Sequence, residues 1–338
     1  MRKSLVVLLG AFFCMSLSLV VSSEGRAETI TLRFANVFPP VHKNTLLVQE
    51  WGKEVEKRTD GRVKVVSFPG GSLVGGSEMF DAVETGIADI GDSFCSYTRG
   101  RFPLTEVLDL PLGYQSGYIA TKMANAYFDK FKPEEFESVK LVYLHTSPPH
   151  RLNMKMPVRN LEDLRGRKIR ATGTSAKVMQ ALGAAPVAMS MGEAYDALKK
   201  GVTEGVTAPF EALKGWKLAD VVKYTTVYGS AYVNTAYVVM NKNKWNSLPQ
   251  DIKDTIEQIN KEYMEKQGRL WDELDEGGRE ALLEAKGEII SLSQEENARW
   301  TSLIRPILDE YVQNKKAMGL PAEEALQFCL DYLKAHQQ

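Results

Sequence analysis

Histidine and cysteine are scarce: the chain has four of the first and three of the second in 338 residues. Three cysteines cannot build a disulfide scaffold, and no C-x-x-C pair offers a thiolate zinc site. No H-E-x-x-H motif occurs, and His42, His145, His150 and His336 have no metal-ligand spacing. A basic excess is also missing. Lys+Arg is 42 and Asp+Glu is 43, a formal net charge of −1, which speaks against a nucleic-acid binder. The glycine-rich run Gly70 to Gly76 lacks the Lys-Ser/Thr of a phosphate-binding loop. No G-x-S-x-G elbow is present. There is no linker rich in Pro, Gly and Ser, and no internal repeat. What remains is ordinary globular composition, 44% hydrophobic and 25% charged, in a length that suits two domains or one large one.

One apolar run stands apart, at the start. Arg2 and Lys3 precede the stretch Leu5 to Val21, and Ser22 to Ala27 is polar and small. Gly25 and Ala27 occupy the −3 and −1 positions of a signal-peptidase site. Residues 1–27 therefore read as a secretory signal peptide, with cleavage after Ala27. The alternative is an uncleaved anchor, against which the shortness of the run and its polar exit both argue. Cys14 lies in this run without the small residues of a lipoprotein site. Cys95 and Cys329 are far apart and are expected as buried thiols. No other run is long enough to span a bilayer. An exported protein, periplasmic once the leader is removed, is expected.

Beyond the leader, strands and helices alternate. Thr29 to Ala35 places Ile30, Leu32 and Phe34 on one face, the period of a strand. A helix at 44–58, a strand at 62–68, a helix at 77–85 with Ser77 as N-cap, and a strand at 88–93 follow. This βαβαβ order implies a parallel sheet with covering helices. Strands are then expected at 141–145, 168–171, 185–189 and 236–241, and helices at 161–164, 175–182 and 192–200. Everything after Leu248-Pro249 reads as helical: 251–285, 293–318 and 322–336. A helix of ~35 residues reaches ~50 Å, enough to run across two lobes. An exported two-lobed α/β chain of this size has the build of a solute-binding protein, with ligand in the crevice at the strand ends.

The segment 160–209 carries more specific residues. It holds Asp163-Leu164-Arg165-Gly166-Arg167-Lys168-Ile169-Arg170, then Gly183-Ala184-Ala185-Pro186, then Glu193-Ala194-Tyr195-Asp196-Ala197-Leu198-Lys199-Lys200-Gly201. Elsewhere stand Phe68-Pro69-Gly70-Gly71-Ser72-Leu73, Phe102-Pro103-Leu104 with Leu108-Asp109-Leu110-Pro111, and Met240-Asn241-Lys242 with Trp245-Asn246-Ser247-Leu248-Pro249. Six such motifs, in order over nearly the whole mature chain, resemble the substrate-binding proteins of TRAP transporters, the DctP family. The resemblance implies a two-lobed periplasmic-binding-protein fold of α/β class, with mixed sheets, a ligand cleft between the lobes and a long helix crossing both. Lobe 1 is expected mainly in 28–150 and lobe 2 mainly in 151–240. The C-terminal helices and crossing segments of 241–338 should pack on both. It implies capture of a small organic acid, carboxylate or sulfonate, and its delivery to membrane permease subunits driven by an ion gradient. No enzyme activity, cofactor or metal is implied, no nucleic-acid partner, and a monomer is expected. The alternatives are a binding protein of an ATP-driven importer, a receptor's sensing module or a periplasmic hydrolase.

The resemblance gives Arg170 a role. The arginine ending the family's "K-x-R" meets the ligand carboxylate with two parallel N–H donors. The other reading is a structural arginine paired with a neighbouring acid. Arg165, Arg167 and Lys168 read as a solvated basic run. Many family members carry a second arginine twenty residues earlier, where this chain has His150 beside Arg151. Either could be the helper, or both could form a surface pair after Pro148-Pro149. A histidine there would make binding depend on pH near neutrality. At Glu204 to Pro209 the better-known acid binders have an asparagine where this chain has Ala208, so the head group must be held differently. Phe210, Trp216, Tyr232 and Asn234 in the second half, and Phe38, His42, Asp92, Ser93 and Tyr97 in the first, are further candidates to touch ligand. Each could equally be core.

Overall fold

The computed structural model describes residues 29–337; the expected leader, with Cys14, lies outside them. The chain opens with β1 (Ile30–Asn36), α1 (Lys43–Arg58), β2 (Val63–Phe68), α2 (Met79–Glu84), β3 (Ile90–Phe94), α3 (Gly117–Phe131) and β4 (Val139–Thr146). It continues through β5 (Arg151–Met154), α4 (Leu161–Leu164), β6 (Lys168–Arg170), α5 (Thr174–Ala181), β7 (Ala185–Val187), α6 (Met191–Lys199), β8 (Gly205–Ala208), α7 (Glu211–Gly215) and β9 (Tyr224–Val227). The last elements are β10 (Thr235–Asn241), α8 (Lys242–Ser247), α9 (Gln250–Glu284), β11 (Glu288–Ser291), α10 (Gln294–Ile304), α11 (Pro306–Ala317) and α12 (Ala322–His336).

Two mixed sheets form, one in each lobe. The first has the order β2-β1-β3-β10-β4 and the second β11-β9-β5-β8-β6-β7. In the first, β1 pairs parallel with β2 and β3, as the βαβαβ order requires, while β10 runs antiparallel between β3 and β4. Strand β10, all but its last residue within the span 151–240, thus lies in the first sheet. Three crossings, between β4 and β5, β9 and β10, and β10 and β11, tie the sheets together without a flexible linker.

Several local expectations need correcting. Helix α2 starts at Met79 and Ser77 does not cap it; the Ser77 hydroxyl donates to Glu78 Oε1 (2.8 Å) instead. The stretch 293–318 is two helices, because Pro306 begins a new one at the position where its missing N–H costs nothing. The tail is not all helical: β11 adds a parallel edge to β9. Helix α3, capped by the Ser116 hydroxyl accepting from Ile119 N–H, was not expected, nor were β5, β8 and β9.

Helix α9 is the 35-residue element the period predicts. Its first half packs Ile252, Ile256, Ile259 and Tyr263 against Leu32 and Phe34 of the first sheet and Trp51 of α1. Its end delivers Leu282 to the core of the second, with Val206, Ala208 and Leu213. Directional bonds fix it along the way. The Trp51 indole donates to Asn260 Oδ1 (3.0 Å), the Trp271 indole to His145 Nδ1 (3.0 Å), and Glu211 N–H to Asp275 Oδ1 (3.0 Å). No described helix is long and apolar enough to cross a membrane. Cys95 and Cys329 are buried and free, as expected.

Candidate functional site

Strand β6 ends on Arg170, whose whole residue is 1% exposed. Its Nε–H donates to Met189 O (2.9 Å), while Nη2 is buried with no partner among the described residues. A guanidinium deprived of water and given no acid is costly, and that cost needs an explanation. Its neighbours Arg165 and Lys168 are exposed, and Arg167 pairs with Glu204 at 3.0 Å, so these stand outside the interior.

His150 belongs to the same interior. It is 2% exposed, which overturns a surface His-Arg pair. Its ring packs on Tyr232 at 4.9 Å, Nε2 meets Ser147 Oγ at 3.1 Å, and Nδ1 has no partner among the described residues. Burial pushes the imidazole well below its usual range, and the positive charges of Arg170 and Arg151 push the same way. It therefore stays neutral at neutral pH, in contrast to the titration near neutrality expected from its usual value.

Arg151 opens β5, with Nη1 donating to His150 O (3.1 Å) and Nε buried and unpartnered among the described residues. Its guanidinium lies 5.8 Å from the Phe210 ring centre. Burial lowers it, and Asp275 on α9 offsets part of that. Asp275 itself is pushed up to about 7 by burial, against the Glu211 amide and Arg151. The hydroxyls of Tyr228 and Tyr232 are buried without partners among the described residues, and burial raises Tyr232 to about 12. Arg170, His150, Arg151 and Tyr232 thus lie near one another, with Phe210 beside Arg151. Ala208 ends β8 beside them, its carbonyl accepting from Asn153 Nδ2 (3.0 Å). Asn234 shares Ser147 with His150: its N–H donates to Ser147 Oγ at 3.0 Å.

The first-sheet candidates are mostly engaged with protein. Asp92 Oδ1 takes a hydrogen bond from His145 Nε2 (3.1 Å), because the Trp271 indole already occupies Nδ1. Ser93 Oγ donates to Gly76 O (2.9 Å). His42 Nδ1 accepts from Asn44 N–H, so Nε2–H donates to Glu211 Oε1 (2.6 Å) across to the second half. Phe38 stacks on His42 at 5.0 Å and meets Trp216 at 6.2 Å. Phe38, Phe94 and Trp271 form a small aromatic cluster, with Tyr97 and Trp216 packed on it. Tyr97 accepts from Met191 N–H (3.1 Å). A cavity of about 880 Å³ adjoins, lined by Gly76, Tyr97, Arg99, Thr174, Lys177 and Met189 among others. Sequence reasoning missed Met189 and Met191, which act through backbone groups and leave no side-chain signal. No group of His, Cys, Asp and Glu that could hold a metal occurs among the described residues.

The sequence profile of the bacterial extracellular solute-binding proteins, family 7 (DctP), matches residues 34–315. The chain belongs to that family. Its members are the solute-binding subunits of TRAP transporters; they capture small organic acids and work with a membrane permease. The C4-dicarboxylate-binding periplasmic protein DctP of Rhodobacter capsulatus is 27% identical over 332 residues, covering 96% of this chain and 98% of that one. A TRAP periplasmic solute-binding protein of Desulfovibrio salexigens, in an open complex with a neighbour's C-terminus in its ligand site, is 33% identical. It has a TM-score of 0.78 over 91% of this chain and 97% of its own. A TRAP solute-binding protein from an unidentified marine microbe, specific for aromatic acids and holding 3-hydroxybenzoate, is 27% identical. Its TM-score is 0.87 over 92% of this chain and 100% of its own. The TRAP family membership disfavours an ATP-driven importer and a hydrolase.

Proposed function

We propose that this TRAP solute-binding protein captures an aromatic monocarboxylate, with Arg170 as the carboxylate partner. The observation that carries the reading is the buried guanidinium whose Nη2 lacks any partner among the described residues. A planar carboxylate supplies two acceptors to a planar fork, which offsets the cost of burial. His150 helps while neutral. In the tautomer that carries its proton on Nδ1, the ring nitrogen with no partner among the described residues, the imidazole donates to the second carboxylate oxygen. Arg151, set back over Phe210 and partly balanced by Asp275, supplies longer-range positive potential.

Three things support an aromatic body. Phe210 and Tyr232 adjoin the anion site, Phe38, Phe94 and Tyr97 stand in the opposing half, and Trp216 of the second half packs against them. Ala208 offers no polar side chain for a second head group. The marine relative, alike over nearly its whole length, is specific for aromatic acids. The protein is exported, its leader cut after Ala27, and acts as a monomer without chemistry on its ligand. Lobe 1 is drawn mainly from 28–150 and lobe 2 mainly from 151–240, with 241–338 packing on both.

A thermal-shift panel on refolded, ligand-free protein tests this, with benzoate, 3-hydroxybenzoate, succinate, glucuronate and benzamide. The two aromatic acids should raise the midpoint, by about 2.7 kcal/mol of stability at one hundred times the dissociation constant. Benzamide should not. A response to succinate or glucuronate alone would refute the aromatic assignment, and equal responses to benzoate and benzamide would refute the anion site.

A further inference from the structure

Tyr97 reaches the second half of the protein without being needed to touch ligand. It ends the helical turn 95–97 that follows β3, in the first half. Its ring is clamped there. Phe94 packs edge-on at 5.4 Å, and any side chain at Gly76 would meet the ring, with a Cβ 2.7 Å from Cδ2. From this fixed base the hydroxyl accepts from the N–H of Met191, the first residue of α6 in the second half. That amide belongs to the first turn of a helix and has no partner within it.

Two residues before Met191 stands Met189, whose carbonyl accepts from Arg170 Nε–H at 2.9 Å. Between them, Ser190 and Glu193 close a capping box, so 189–191 is a stiff bracket rather than a loose loop. One end of the bracket holds the guanidinium, and the other is held by the opposite half of the molecule. Met191 N–H can find Tyr97 only when the halves are together. We propose that Tyr97 is a positioning residue for Arg170: its cross-cleft hydrogen bond fixes the 189–191 bracket, which then fixes the plane of the guanidinium. The anion site is complete only in the closed arrangement. The inference rests on the reading of Arg170 as the anion partner.

The test uses nitrogen-resolved hydrogen exchange on protein saturated with benzoate, where the halves are together, with parent, Tyr97→Phe and Met191→Pro compared. Tyr97→Phe keeps the ring and removes the acceptor. Met191→Pro removes the donor from the other side; Pro is tolerated at the first helical position, and the residue before it, Ser190, is already extended at φ −64, ψ 162. In Tyr97→Phe both Met191 N–H and Arg170 Nε–H should exchange about tenfold faster, the upper range for one lost hydrogen bond. In Met191→Pro the Arg170 rate should rise as much. The Trp271 indole N–H, held by His145 elsewhere, should not change. Calorimetry with benzoate should show roughly tenfold weaker binding in both variants, mostly through faster release. An Arg170 Nε–H rate like the parent's in the variants overturns the proposal, and so does parent-like benzoate affinity in Tyr97→Phe. If the parent itself ignores benzoate, the aromatic reading fails, and the same exchange comparison, run with whichever acid of the thermal-shift panel does bind, decides the role of Tyr97.

Discussion

Arg170 and Arg167 stand three residues apart in sequence but in opposite environments. One is shut in at the end of β6 with a free Nη2; the other pairs with Glu204 at the surface. Arg170→Ala should therefore cost about 2–5 kcal/mol of binding, the range for truncating one partner of a buried charged pair. Arg170→Lys should also weaken binding, since a point charge cannot copy a planar fork. Arg167→Ala should leave affinity near the parent's. Calorimetry with the acid found in the panel decides; if Arg170→Lys binds like the parent, the two-pronged contact is wrong. His150 gives a pH signature. Its folded value is depressed, so above its unfolded value of about 6.5 both states are neutral and stability is full. As pH falls below that, the unfolded chain takes a proton that the folded one refuses. Stability then drops by about 1.4 kcal/mol for each pH unit until the depressed value is reached. Ligand-free His150→Asn should show a shallower fall in calorimetric midpoint between pH 6.5 and 5 than the parent. Identical slopes would mean that His150 is not the group responsible.

Helix α9 makes the two lobes one molecule, and one glycine lets it do so. At Gly278 the helix backbone lies against the carbonyl of Phe210, and a Cβ would be driven into that carbonyl. Gly278→Ala removes a poor helix former, which alone would help by roughly 1 kcal/mol. The overlap with backbone cannot relax by a rotamer change, so overpacking of about 1–3 kcal/mol should win. A lower thermal midpoint is expected, with Phe210 and its neighbour Arg151 displaced; a midpoint at or above the parent's would show that α7 yields freely. The long helix was legible in sequence because 35 residues of one period leave little choice. Arg170 was legible because a motif placed it at a strand end. Helix α3 had a signal that went unused: Ala120, Met123, Ala124 and Tyr127 are its buried face, after the capping Ser116. Strand β11 had almost none, since four residues make a strand only through β9, 64 residues earlier in the chain. The break in 293–318 could have been placed at Pro306, which starts helices readily and interrupts them badly. The Met189 carbonyl and Met191 amide could not have been found, because any residue carries both groups.

At the scale of the whole molecule, the halves touch through polar contacts that suit a reversible join. His42 meets Glu211, Tyr97 meets Met191, Thr172 Oγ1 meets Ser96 Oγ at 3.3 Å and Lys177 meets Glu106 at 3.0 Å. At Gly173, φ +53 and an added Cβ 2.9 Å from Ser96 Cβ mark how near the two backbones come. These polar groups can exchange their partners for water when the halves part, while α9 and the three sheet crossings keep the lobes attached. The described arrangement also scores higher against the relative holding 3-hydroxybenzoate than against the more identical one in an open complex. A ligand that touches both halves binds the closed state better, and can shift the equilibrium only by that difference in affinity. Small-angle scattering on refolded protein should accordingly show a radius of gyration that falls when the cognate acid is added. In Arg170→Ala the fall should be absent at the same concentration, for want of binding. Raising the acid above the weakened dissociation constant should restore it, because the seams themselves are intact. A radius that never changes in the parent, with binding established by calorimetry, would mean that the ligand enters a protein already closed.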